Sequence, residues 1–285
     1  MKNFGLDDRM KMFYEQVPKT RLMRRIPVAI RIDGKAFHTF TKGFQKPFDD
    51  VLIKAMQDTM KYLCENIQGC VLGYTQSDEI TLILIDYKKL TSSAWFDYEV
   101  QKMCSVAASM ATMAFNKAFT NAFNDWGEEN FRDWLNGGAN EPVDKTLMKL
   151  CQIYDNAQKK GAMFDARCFN IPKEEVANLL YWRQDDASKN SISMVGQAYF
   201  SHKELHKKSR NDIQDMLMLQ KGVNWNNFPT HKKRGSCCIK KVIQDERFDV
   251  KNGANPRTHW VVDKEIPIFK GEDRNYIEDL IYVGD

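Results

Sequence analysis

The sequence predicts an α+β fold: a ferredoxin-like, polymerase-palm core of order βαββαβ, followed by a mainly helical C-terminal part and a late β-hairpin. Three observations lead there. Strand-forming runs alternate with long stretches of helical apolar spacing, two such runs flank Gln76-Ser77-Asp78-Glu79 as the arms of a hairpin, and a second pair closes the chain near Gly235. Three segments are expected: a short charged N-terminal helix over 1–25, a palm-like catalytic core over 26–170, and a C-terminal region over 171–285 packed on the palm with a basic, RNA-binding face.

Residues 27–32 (Pro-Val-Ala-Ile-Arg-Ile) read as the first strand. Its period of two places Ala29, Arg31 and Asp33 on one face and Ile30 and Ile32 on the other. Gly34 follows, where the backbone can approach a ligand closely. After Pro47, Asp49 or Asp50 caps a helix through Leu52, Ala55, Met56, Met60 and Leu63. Residues 73–76 and 80–85 are the hairpin strands, with the tip near Ser77-Asp78. A long helix over 95–123 carries small residues such as Ala107 and Ala111 for close packing. A polar loop with Gly137-Gly138 then leads to a fourth strand over 162–170. Helices are expected from Pro172 through Leu180, over 186–200 and over 211–221, and strands over 235–242 and 258–262.

This topology brings two distant acids together. A right-handed crossover makes the first two strands parallel, with the third antiparallel between them, so Asp33 and Asp78 share one sheet edge. Two carboxylates about 4 Å apart repel by roughly 1 kcal/mol in water and about 4 kcal/mol at the effective dielectric of a protein site. A divalent cation relieves that cost, and Mg2+ is commonly held by one or two carboxylates plus substrate phosphates. The pair therefore reads as a two-metal phosphoryl-transfer centre.

Charge and cysteine usage point to a polyanionic partner and a reducing compartment. Residues 201–241 hold ten Lys or Arg, among them Lys207, Lys208, Arg210, Lys232, Lys233 and Arg234, against three acids. Such a region suits a nucleic-acid backbone, although a solvated lysine-rich face reads equally well. The seven cysteines are scattered, without paired zinc spacing, and read as reduced core residues, Cys237-Cys238 as a buried strand pair. No run approaches the ~20 apolar residues of a membrane span, and a cytoplasmic protein is expected. His202 and His206 stand at helical i, i+4 spacing without a third ligand, which favours phosphate contact over zinc. Trp225 and Phe228 read as core before base-stacking groups.

Five motifs in order, Arg31-Ile32-Asp33-Gly34-Lys35-Ala36-Phe37-His38, Lys46-Pro47, Tyr74-Thr75-Gln76-Ser77-Asp78-Glu79, Phe164-Asp165-Ala166-Arg167 and Trp182-Arg183-Gln184, closely resemble the signatures of the tRNA-His guanylyltransferase family. Lys233-Arg234-Gly235 is similar to its C-terminal basic motif. The resemblance implies a nucleotidyltransferase that extends tRNA 5′ ends in the 3′-to-5′ direction with two Mg2+ ions. It implies metal ligation by Asp33, Asp78 and the Gly34 carbonyl, with Glu79 assisting. It also implies a nucleotide site of Arg31, Lys35, Ala36, Phe37, His38, Lys46 and Ser77, the partners tRNA, GTP and ATP, and a homotetramer. Members that add an untemplated G to tRNA-His carry His-Ile-Asn-Asn after Trp-Arg-Gln, where this chain has Ser188-Lys189-Asn190-Ser191. That departure favours template-paired repair of 5′ ends over dedicated G addition. A palm-type nucleotide cyclase and a non-catalytic RNA-binding module are the remaining alternatives.

Overall fold

Six antiparallel strands form one sheet in the order β4-β1-β3-β2-β5-β6. They are β1 (Val28–Gly34), β2 (Cys70–Gln76), β3 (Glu79–Leu84), β4 (Phe164–Asn170), β5 (Ser236–Val242) and β6 (Thr258–Asp263). The structure is a computed structural model that describes residues 4–135, 144–242 and 258–283. Strands β1 and β2 both run against the intervening β3, so they are parallel to each other, as the crossover argument requires. The late hairpin is an extension of the palm sheet itself, because β5 pairs with β2.

Helices cover both faces. The first are α1 (Leu6–Met10), continued by a π-helical turn over Lys11–Glu15, then α2 (Phe37–Phe40), α3 (Asp50–Asn66), α4 (Val100–Leu135) and α5 (Lys145–Lys160). After β4 come α6 (Lys173–Tyr199), α7 (His202–Leu205), α8 (Arg210–Lys221), α9 (Thr230–Arg234) and α10 (Asn275–Ile281). Val28, Ile30 and Ile32 of β1 bury one way, into a cluster with Ala55, Met56 and Met60 of α3 and Ala107, Ala111 and Phe115 of α4. Ala29 buries the other way, with Val176 and Leu180 of α6 and Ile277 and Ile281 of α10. Each of these larger side chains contributes about 1.5–3 kcal/mol through its removal from water.

Two expectations are corrected. The polar loop before β4 contains α5: Asp144 accepts from the Thr146 amide as N-cap, and Leu150, Tyr154 and Ala157 bury at i, i+4, i+7. A polar composition hid this one-sided stripe, and Gly137-Gly138 lie outside the described residues. Residues 186–200 form no separate helix; they continue α6, whose buried Val176, Leu180, Ala187, Ile192 and Val195 keep one face inward throughout. Cys237 and Cys238 are buried, as expected of a strand pair.

Aromatic packing fixes the chain after β1. Phe37 and Phe40 meet Phe115 edge-on at ring-centroid distances of 5.5 and 5.6 Å, and Phe44 meets Tyr154 at 5.2 Å. Gly34 permits this fold-back, since a Cβ there would stand 2.2 Å from the Phe37 ring.

Candidate active site

The C-terminal end of β1 and the tip of the β2–β3 hairpin are stitched together by a backbone bond from the Gly34 amide to the Asp78 carbonyl, 3.1 Å. Asp33 and Asp78 thereby reach the same edge. The two-residue tip places Ser77 at φ 51°, the left-handed region that a tight hairpin of this length demands of its first central residue. For a non-glycine residue that conformation costs about 1–2 kcal/mol. Its hydroxyl donates to Asp78 Oδ1 at 2.9 Å.

Register adds two further acids. Asp33 stands opposite Glu79 on β3 and Asp165 on β4, so three carboxylates form one row across neighbouring strands. Their surroundings differ. Glu79 Oε2 receives Arg183 Nη2 at 2.6 Å and Arg31 Nη2 at 3.3 Å, while Asp165 pairs with Arg167 at 3.4 Å. Among the described residues, Asp33 and Asp78 have no such basic partner. Burial, followed by the nearby charges of Asp78, Glu79 and Asp165, pushes the Asp33 carboxyl above its ordinary value, against a smaller opposing influence of the Arg167 guanidinium. Burial likewise raises Asp78 despite the Ser77 hydroxyl bond that opposes the shift.

This imbalance fits a divalent cation. Two partly buried, oxygen-donor carboxylates beside a close backbone approach are a sparse, hard donor set, which suits Mg2+ completed by substrate phosphates and water. No cluster of three or more His, Cys, Asp or Glu among the described residues makes a closed protein cage, at His202 and His206 or elsewhere. The two histidine rings lie 6.3 Å apart.

A cavity of about 520 Å³ opens beside this edge and is lined by Gly34, Ala36, Phe37, His38, Lys46, Ser77 and Asp78 among others. Ala36 takes φ 53° as N-cap of α2 and turns the chain around the cavity wall. Phe37 is mainly a core residue at 5% exposure, presenting only part of its ring. Asp49 anchors the Lys46 loop: it accepts from the amides of Gln45 and Leu52, both at 2.9 Å, and from the Tyr154 hydroxyl at 2.7 Å. Lys35 is exposed outside the lining, its amide donating to the Met163 carbonyl. Arg31 faces Glu79 and lies 5.4 Å from the Trp182 ring, with Arg183 4.6 Å from that ring. Met194 and Gln197, three apart on α6, also line the cavity. Nothing in the residue order marks them, because an i, i+3 pair on a helix carries no sign of what lies across from it.

The six basic residues of the C-terminal region divide. Lys207, Lys208 and Arg210 are exposed. Lys232 reaches Asp50 at the start of α3, 2.6 Å. Lys233 departs from the expected RNA face: it is 7% exposed, donates to the Asn226 carbonyl at 2.5 Å and lies 5.3 Å from the Trp225 ring. Arg234 is half-buried, with Nε enclosed and its carbonyl accepting from the Tyr74 hydroxyl. Helical spacing turned part of this basic run inward. No helix among the described residues is long and apolar enough to cross a membrane.

A family model described as tRNAHis guanylyltransferase matches residues 7–172. The chain belongs to that family. It is therefore a nucleotidyltransferase by family, and the match spans β1, the hairpin and β4. A bacterial tRNA(His) guanylyltransferase (Thg1)-like protein solved in complex with ATP is 41% identical, over 98% of this chain and 100% of that one, with a TM-score of 0.74. A structure of such a protein with GTP is 40% identical, over 97% and 99% of the two chains, with a TM-score of 0.71. The tRNA(His) guanylyltransferase of Schizosaccharomyces pombe is 26% identical over 250 residues, 81% of this chain and 82% of that one.

Proposed function

We propose that this family member adds nucleotides to tRNA 5′ ends in the 3′-to-5′ direction, as a repair enzyme guided by pairing to the opposite strand. The observation that carries the reading is the pair of carboxylates without an ion-pair partner among the described residues, Asp33 and Asp78, at a sheet edge where Asp78 and Gly34 line a cavity of about 520 Å³, while their acidic neighbours Glu79 and Asp165 are each paired with an arginine. Asp33, Asp78 and the Gly34 carbonyl are the residues that would hold two Mg2+ ions. When bound, such ions supply Lewis-acid stabilisation of the charge that develops on attacking and leaving oxygens and acidify the attacking hydroxyl.

The chain's own groups do the rest. The Lys46 ammonium, on a loop pinned by Asp49, donates to the triphosphate of the bound nucleotide. Ser77 and His38 line the same cavity and orient the nucleotide. Glu79 acts from the neighbouring position, fixed between Arg31 and Arg183. For a 5′-monophosphorylated tRNA, ATP first adenylylates the end; a 5′-triphosphate needs no such step. The 3′ hydroxyl of GTP, or of another template-paired nucleotide, then attacks the activated 5′ phosphorus, displacing AMP from an adenylylated end, whose formation from ATP has released pyrophosphate, or displacing pyrophosphate from a triphosphate end. The 41%-identical relative solved with ATP supports both nucleotides as ligands here, together with its GTP-bound counterpart.

The repair reading draws support from the segment that replaces His-Ile-Asn-Asn. Ser188 donates to the Gln184 carbonyl, Asn190 to Asp186, and Ser191 accepts from Trp225 Nε1 at 3.0 Å. These side chains are occupied within the protein. The exposed Leu6, Phe13, Tyr14 and Val17 at the N-terminus support assembly with further copies, in the proposed homotetramer. The functional test offers purified protein a 5′-truncated tRNA and an intact tRNA-His with each labelled nucleotide in turn. Restoration of the truncated end by whichever nucleotide pairs with the opposite strand is expected. Addition of G to intact tRNA-His alone overturns the repair assignment.

A further inference from the structure

A second groove, of about 470 Å³, lies between α3 and β6, away from the acidic edge. One wall is a single helical stripe, Lys54, Gln57, Asp58 and Lys61, at i, i+3, i+4 and i+7. The other is β6 itself, with Trp260 and Val262 facing α3 and Lys264 just past the strand end. Lys240 stands opposite Trp260 across the β5–β6 ladder, its ammonium 5.1 Å from the indole centroid. Four lysines thus surround one half-buried tryptophan, with Asp58 as the acid within the lining.

Their present partners hold them weakly. Lys54 pairs with Asp58 and Lys61 with Glu65 as exposed i, i+4 pairs on one helix, a class that contributes little and is readily exchanged. Gln57 is committed to the fold, donating to Ser236 Oγ from a buried position. The groove therefore combines mobile cations on its rim with a fixed aromatic surface in its floor. A protein partner would be met by depth and apolar area. Ammonium groups spaced along a strand edge around an indole match a backbone of phosphates with bases attached. Strand β6 is the second neighbour of β2 in the sheet, so at the usual strand spacing it lies roughly 10 Å to the side of the hairpin that carries Asp78. One RNA molecule can occupy both.

We propose that this groove is a second RNA-contact surface, where Lys61, Lys264, Lys54 and Lys240 take backbone phosphates and Trp260 stacks on a base of the same strand. The inference rests on tRNA as substrate, the reading given above. It also relocates part of the RNA contact expected of α9, whose Lys233 is turned inward.

The test is direct tRNA binding by the full-length protein, measured by fluorescence anisotropy over a series of salt concentrations, for the parent, K61E/K264E and the milder K61Q/K264Q. Both lysines are solvent-facing, and unchanged melting temperatures establish that the variants fold. Charge reversal is expected to weaken tRNA binding at least tenfold and to lower the slope of log affinity against log salt by about one per lost phosphate contact. The glutamine variant should lie between. W260L should weaken binding of a single-stranded RNA more than of a duplex. GTP affinity at the acidic cavity should be unchanged throughout. Unaltered tRNA affinity and salt slope in K61E/K264E would overturn the inference and leave the tRNA reading intact. Loss of GTP affinity in place of tRNA affinity would overturn it in favour of a triphosphate site. A parent protein that binds no tRNA would overturn both.

Discussion

Four carboxylates crowd one end of the sheet, yet they form two unlike pairs. Glu79 and Asp165 each carry an arginine, whereas Asp33 and Asp78 have none among the described residues and titrate upward. Strand register alone does not separate them, since Asp33 faces both Glu79 and Asp165 directly. The difference lies in what the second element brings. Helix α6 and strand β4 deliver guanidinium groups to one pair, and the backbone turns at Gly34 and Ser77 leave the other pair without an ion-pair partner among the described residues, with Arg167 acting on Asp33 only weakly. A site that keeps like charges uncompensated has been left incomplete in a way that substrate-borne metal can complete.

The largest expected effect breaks that contrast at the uncompensated pair. Asp78→Ala or Asp33→Ala should lower nucleotidyl transfer by at least about 10²-fold, the scale seen when a preorganised charge-stabilising group is removed. Binding of tRNA, measured separately, should persist. Asp165→Ala should leave transfer within a few-fold of the parent.

Next comes the compensated pair. Arg183 is 5% exposed, and Arg183→Met leaves Glu79 with Arg31 as its one ion-pair partner, beside the Gln76 side-chain amide at 3.3 Å. Breaking a fully buried pair costs about 3–5 kcal/mol; Glu79 is partly exposed and keeps one partner, so a loss of roughly 2 kcal/mol is expected in denaturant unfolding. An unchanged midpoint would show that the arginine does not hold Glu79 in solution.

A smaller effect has the opposite sign. Asp33 and Asp78 titrate above the ordinary 3.8 in the folded chain, so the folded state binds their protons more readily than the unfolded state does. Their contribution to metal-free stability therefore rises as pH falls through the raised values, and it is complete below 3.8. Asp33→Asn and Asp78→Asn should accordingly raise the melting temperature of metal-free protein at pH 7 and flatten its rise toward acid pH. Glu79→Gln should lower it. Stabilisation by removal of a charge that the reaction needs is the expected mark of a site held for activity at a cost in stability.

Much of this was legible from residue order. Alternation in 27–32 assigned the faces of β1, Asp49 announced the start of α3, and the apolar run after Glu79 required a buried strand. What escaped was decided by tertiary packing. Helix α5 buries only one side of a polar segment, so its average composition resembles a loop. Lys233 belongs to a basic run by sequence but meets the Asn226 carbonyl because a short helix turns it inward. Met194 and Gln197 join the cavity because α6 continues unbroken to Tyr199 and brings them to the cavity that the Lys46 loop also lines. Arg167 stands two residues from Asp165 on the same strand, an i, i+2 pair that alternation could have shown, whereas Arg183 lies far along the chain from Glu79 and no local pattern connects the two.

Anomalous diffraction from crystals grown with Mn2+ and GTP tests the central claim most directly. The account predicts peaks within about 2.0–2.3 Å of carboxylate oxygens of both Asp33 and Asp78, with Glu79 still bound to Arg183. Peaks on Glu79 and Asp165, with Asp33 and Asp78 bare, would contradict it.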